Sequence, residues 1–129
     1  MRDQPTGEQL LACARRALKD KLLPALDADQ RYTLLMVMNA MSIAERQLHE
    51  GEAPAQRELE ELQALLGSVG ASLADANREF AKRLREGAAD PGQPARAAMF
   101  AQLRRTAVGR LRESNPKLLK DQTGAKAAG

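Results

Sequence analysis

With 129 residues, 43% of them apolar and 29% charged, the chain can bury a core without disulfide or metal staples, and its one cysteine, Cys13, excludes an internal disulfide. The apolar content is Leu, Ala and Met, with no Trp, one Tyr and two Phe, a composition that favours helix over strand. Net charge is +3 but unevenly placed: residues 1–90 carry 12 basic against 15 acidic side chains, residues 91–129 carry 8 against 2. The last third therefore points to an electrostatic partner such as nucleic acid, a phosphorylated ligand or an acidic protein surface, or else to a solvated basic helix.

Thr6 in "QPTGEQL" opens the first predicted helix as N-cap, with Gln9 at the capping-box position. Leu10, Cys13, Ala14, Ala17, Leu18 and Leu22 then recur at steps of three and four, which makes them the expected core stripe. Cys13 is accordingly read as a small core residue. Pro24 ends this helix.

Asp27 or Asp29 caps a second helix that runs to Gly51. Its segment "RYTLLMVMNAMSIAERQL" sets Tyr32, Leu35, Met36 and Ile43 on one face, with Asn39 in the middle of it. Asn39 reads as a buried hydrogen-bonding hub that fixes helix register, or as a direct partner or ligand contact. Met38 and Met41 lie off that stripe, so this helix is apolar nearly all round: either central in the bundle or a contact surface.

"GEAPAQ" is a turn. Ala55 to Leu66 follows with Leu59, Leu62 and Leu66 on one face, and Gly67 and Gly70 interrupt. Ser72 with Asp75 caps a fourth helix whose Leu73, Ala76, Phe80 and Leu84 face inward. "GAADPGQP" is the clearest loop. A fifth helix follows with Phe100, Leu103, Ala107 and Leu111 as its stripe, ending near "SNP" at 114–116. "KLLKD" packs as a short turn, and "QTGAKAAG" is disordered. The expected architecture is all-α, a single-domain up-and-down bundle of about five helices over residues 1–120 with a flexible tail at 121–129.

The chemistry is sparse. His49 is the only histidine and Cys13 the only cysteine, so no Cys/His metal set forms, and no Gly-rich phosphate loop, nucleophile elbow or dinucleotide fingerprint occurs. His49 near a helix C-terminus complements the helix dipole. Glu58 and Glu61 share a helix face and Glu60 does not, which argues against a hard-metal site. Arg104, Arg105, Arg110, Arg112, Lys117 and Lys120 could meet nucleic acid, but no aromatic side chain is interleaved for base stacking. Catalysis by this chain alone is not expected. No run approaches the roughly 18 apolar residues of a membrane span, and "MRDQPTGEQL" has no apolar signal core, so a cytoplasmic protein with no membrane contact is expected.

Three segments carry a resemblance: "RDQPTGEQLLACARRAL…LLPAL", "RYTLLMVMNAMSIAERQL" and "LRRTAVGRLRESNPKLL". In this order they resemble a bacterial family of small helical proteins of unknown biochemical role, encoded beside an aminoglycoside-phosphotransferase-like kinase and an acyl-CoA dehydrogenase. The likeness extends to the small accessory subunits of the 4-hydroxyacyl-CoA kinases of levulinate catabolism. Arg2, Pro5 and Thr6 match the family's start, Asn39 and Ala40 its central Asn-Ala step, Arg46 its following arginine, and Asn115, Pro116 and Leu118 its end. Ser114 departs from the more usual Ala.

The resemblance implies a non-catalytic accessory subunit of a kinase acting on a hydroxyacyl-CoA in short-chain hydroxy or keto acid catabolism. ATP and Mg²⁺ would sit in the large subunit and no cofactor in this chain. Asn39, Arg46, Arg104, Arg105, Arg112 and Asn115 are the expected contacts to the partner or to the coenzyme A thioester. A homo-oligomeric helical binding or scaffold protein without a kinase partner is the alternative, and a nucleic-acid-binding regulator the more distant one.

Overall fold

In a computed structural model of the chain, which describes residues 3–67 and 70–126, Thr6 caps the first helix as its sequence context predicts. Its Oγ1 accepts from the Gln9 amide at 3.4 Å, and the Gln9 side chain returns to accept from the Thr6 amide at 2.8 Å. Six α-helices follow in order: α1 (Gly7–Ala17), α2 (Ala28–Glu50), α3 (Ala53–Leu66), α4 (Leu73–Arg85), α5 (Arg96–Ser114) and α6 (Pro116–Lys126). The fold is all-α, and no strand occurs among the described residues. These described residues divide into two compact units, one up to Gly51 and the other from Glu52 onward.

In the first unit α1 packs against α2. The α-helical ladder ends at Ala17, earlier than the sequence suggests, and continues as a π-helical turn (Leu18–Leu22) and a 3-10 turn (Leu23–Ala25). Pro24 has no N–H to donate, so the α pattern cannot pass through it. The widened turn is closed by Leu23 N–H on the Leu18 carbonyl. Asp27 is the N-cap of α2, accepting from Gln30 N at 2.9 Å, and Gly51 ends the helix at φ 64°, a conformation suited to glycine.

One ion pair and one histidine–carboxylate contact join the helices. Arg15 Nε lies 3.0 Å from Glu45 Oε2, and His49 Nδ1 lies 3.1 Å from Glu8 Oε2. They turn the line Leu34, Met38, Ser42 and Glu45 of α2 inward, with Met38 buried. Asn39 is one residue, about 100°, away from Met38 and is exposed. The buried hub expected at Asn39 is therefore corrected. The same holds for α1, which turns Leu11, Ala12 and Arg15 inward and leaves Leu10, Cys13, Ala14 and Ala17 exposed; in the turn that follows, Leu18 of the expected stripe is half-buried and Leu22 is exposed. Cys13 is not a core residue.

In the second unit α3 packs on α4 and α5, and α5 on α6. Leu62, Leu66, Ala76, Phe80, Ala89 and Met99 form the core, with Leu59, Leu73 and Leu84 packed against it, as the spacing in α3 and α4 predicts. Ser72 Oγ caps α4 by accepting from Asp75 N at 3.1 Å. The 87–94 loop turns at Gly87, φ 89°, where a Cβ would approach Asp90 Oδ2 to 2.7 Å. Its end is held by Arg96 Nη1, which donates to the Ala89 carbonyl at 2.6 Å.

Helix α5 departs from expectation. Met99 and Gln102, each 1% exposed, face the core, whereas Phe100, Leu103 and Ala107 are exposed and Leu111 is half-buried. Asn115 ends α5, and Pro116 opens α6 instead of a short turn, because an N-terminal proline needs no intrahelical donor. The expected flexible tail overlaps α6, which reaches Lys126; Arg2 at the family-like start and residues 127–129 lie outside the described residues.

Candidate functional site

Each unit presents an apolar helix face to solvent. On α2 this face is Tyr32, Leu35 and Met36, with Asn39 beside them and half-buried Ile43 and Arg46 continuing the line. Tyr32 is 67% and Leu35 48% exposed. Large side chains scattered singly on a surface need no explanation, but here they follow one another along a single helix face.

On α5 the outward face is Phe100, Leu103, Ala107 and Leu111, and arginines border it. The Arg96 guanidinium stacks over the Phe100 ring, 4.6 Å from its centroid. Arg104, four residues after Phe100, is exposed within the apolar face, and Arg110 and Arg112 are exposed further along the helix. An apolar strip with guanidinium groups at its rim fits an acidic rim on a partner or a phosphate-bearing ligand, since the planar fork of arginine pairs bidentately with either.

Arg105 is differently placed. Its Nε lies 3.4 Å from Glu61 Oε2 on α3, and its Nη2 donates to Gln102 Oε1 at 2.7 Å. It ties α5 to α3 as well as facing solvent. Glu58 accepts from Asn77 Nδ2 at 3.3 Å, so the two glutamates that share a face of α3 are held by different neighbours. No group of three His, Cys, Asp or Glu side chains that could hold a metal occurs among the described residues.

Of the expected contacts, Arg104, Arg105 and Arg112 lie along α5 and Asn115 is its exposed C-cap. Asn39 and Arg46 lie on α2 in the other unit. Sequence reasoning missed Glu8, Arg15, Glu45 and Gln102. Arg15 and Glu45 are 30 positions apart and no local signal pairs them. A glutamine among the apolar residues of α5 was a visible signal for Gln102, had its face been chosen correctly.

A shallow groove of about 340 Å³ between α1 and α2 is lined by Glu8, Ala12, Glu45, Arg46 and His49, and the Glu8–His49 contact lies within it. No helix of the described residues is long and apolar enough to cross a membrane.

These features define a small all-α protein with apolar side chains exposed on α2 and α5. The model of a family described as a domain of unknown function (DUF6285) matches residues 24–118, and the chain belongs to that family. The matched part runs from Pro24 through α2–α5 into the first turn of α6, and leaves α1 outside. No curated protein and no solved structure matches the chain.

Proposed function

We propose that this protein is a non-catalytic accessory subunit that docks on a larger enzyme through the outward face of α5. The observation that carries the reading is the inversion of that helix. Its polar Gln102 is buried while Phe100 and Leu103, 49% and 41% exposed, face solvent among arginines. A monomer gains nothing from that arrangement, whereas a partner with an apolar strip and an acidic rim covers it.

The resemblance of the three quoted segments supplies the partner: an aminoglycoside-phosphotransferase-like kinase that phosphorylates a hydroxyacyl-CoA in short-chain hydroxy or keto acid catabolism. The kinase supplies ATP, Mg²⁺ and the transferring machinery. This chain stabilises the large subunit or shapes its acyl-CoA pocket, with Arg104 and Arg112 meeting acidic side chains or coenzyme A phosphates.

The test is co-expression with the phosphotransferase-like kinase, size exclusion of the mixture, and ATP consumption with a 4-hydroxyacyl-CoA. Co-elution and a rise in kinase activity on adding this chain support the reading. Separate elution, with full kinase activity in its absence, overturns it.

A further inference from the structure

Residues 32–44, "YTLLMVMNAMSIA", contain no charged side chain over more than three turns of α2, although Tyr32, Leu35, Met36, Val37, Asn39 and Ala40 are all exposed. A helix face bathed in water ordinarily carries Lys and Glu. This one carries a tyrosine, a leucine, a methionine and, at its centre, one asparagine. We propose that this face of α2 docks antiparallel on α2 of a second copy of the chain, with the two-fold axis passing beside Asn39. The proposal is independent of the kinase reading and uses the other compact unit.

The self-match of the stripe is the argument for a second copy. Asn39 is the midpoint of Ala28–Glu50. A two-fold there sets each asparagine against its equivalent, and a carboxamide is its own complement: N–H donates to C=O in both directions. One polar residue in an otherwise apolar helix seam is also the device that fixes register in paired helices.

Four residues to either side lie Leu35 and Ile43, so each leucine meets the other copy's isoleucine. Seven residues to either side lie Tyr32 and Arg46, so each ring meets a guanidinium at the edge of the contact. A parallel pair would instead stack Arg46 on Arg46 and Glu50 on Glu50, and would align the helix dipoles. Like-charge and dipole repulsion therefore disfavour the parallel pair and leave the antiparallel arrangement. The opposite flank of α2, Thr33, Val37 and Ala40, offers smaller side chains, and its one hydroxyl, on Thr33, already donates to the Asp29 carbonyl at 3.2 Å.

The test uses the full chain alone, with no kinase present. Light scattering after size exclusion at micromolar concentration is expected to give twice the chain mass of 14.0 kDa. Leu35→Glu is expected to give the single-chain mass with helical circular dichroism unchanged, because the side chain is exposed. Val37→Glu, on the other flank, is expected to stay dimeric. In a Cys13→Ser background, Asn39→Cys is expected to form a disulfide-linked dimer under mild oxidation, and Thr33→Cys is not.

A single-chain mass for the natural sequence, a dimer that survives Leu35→Glu, a dimer lost with Val37→Glu, or no cross-link at position 39 overturns the proposal. A single-chain mass together with loss of kinase binding in Leu35→Glu assigns this face to the kinase. That outcome overturns the proposal and leaves the accessory-subunit reading standing.

Discussion

Arg105 donates from Nη2 to Gln102 Oε1 at 2.7 Å, and by doing so it leaves the Gln102 amide nitrogen buried with no acceptor. Turning the amide over would set two donors face to face, so the guanidinium fixes the orientation. A buried N–H without a partner costs roughly 1–3 kcal/mol, and the bond to half-exposed Arg105 offsets only part of it.

Gln102→Met is therefore expected to stabilise the chain by about 1 kcal/mol, since it keeps the volume and removes the orphaned group. Urea unfolding followed by circular dichroism reads it. A clear loss of stability would show that the amide has an acceptor after all.

Adjacent residues of α5 give the sharpest contrast. Met99 is 1% exposed and belongs to the core with Leu62 and Phe80, whereas Phe100 is 49% exposed under the Arg96 guanidinium. Met99→Ala is expected to cost about 2–5 kcal/mol. Phe100→Ala removes the larger side chain yet is expected to cost under about 1 kcal/mol, the lost stacking and partial burial. Equal losses in thermal or urea unfolding would mean that α5 presents its other face to the core.

What could be read from the sequence divides along the range of the forces involved. Thr6 with Gln9, Asp27 with Gln30, and Ser72 with Asp75 are contacts between residues three apart; the first and third caps form where the residue types predict, and the structure chooses Asp27 of the two candidates for α2. The core faces of α3 and α4 were also legible, because Leu59, Leu62 and Leu66, and Ala76 and Phe80, are the only apolar lines those helices offer. Helices α1, α2 and α5 have apolar residues on more than one side. Periodicity alone cannot choose between Met99 and Phe100, or between Met38 and Asn39 beside Leu35.

The choice is made by packing against elements far away in sequence: in α2 Met38 is buried on the side where Glu45 reaches Arg15 of α1, and in α5 Met99 enters the core cluster with Leu62 and Phe80. In α1, α2 and α5 the most apolar stripe lies mostly at the surface, with Leu18, Ile43 and Leu111 half-buried. For the candidate site, this means that residue types and the α5 arginines were legible while the exposed faces carrying them were not.

The Arg15–Glu45 pair is expected to hold α1 on α2 with modest strength. Arg15 is more than a third exposed, so solvent screens it, and the Glu45 carboxylate is the better shielded partner. A double-mutant cycle with Arg15→Met and Glu45→Gln, read by urea unfolding, is expected to give a coupling of about 0.5–1 kcal/mol that shrinks at high salt. Arg15→Met alone should cost more than Glu45→Gln alone, because it strands a carboxylate and the other change removes one. The reverse order would mean that Glu45 is solvated and the pair is incidental.

The last prediction concerns the α5 face in the accessory-subunit reading. Leu103 and Arg104 are both exposed, so changing them leaves the core cluster of Leu62, Phe80 and Met99 untouched. Leu103→Asp places a charge in the apolar strip, and Arg104→Glu reverses the charge presented to an acidic rim. Each is expected to leave unfolding stability within about 0.5 kcal/mol. Each is also expected to weaken binding to the co-expressed kinase at least about tenfold, roughly 1.4 kcal/mol, by isothermal calorimetry. The two changes differ in what salt does. The Arg104→Glu defect should narrow at high ionic strength, where the lost attraction is screened in the natural sequence too, and the Leu103→Asp defect should persist because desolvating a carboxylate in an apolar strip stays costly. Added coenzyme A that competes with Arg104 but not with Leu103 would place that arginine on the ligand's phosphates and not on the kinase. Full binding by both variants would remove α5 as the docking face, whatever else holds the subunits together.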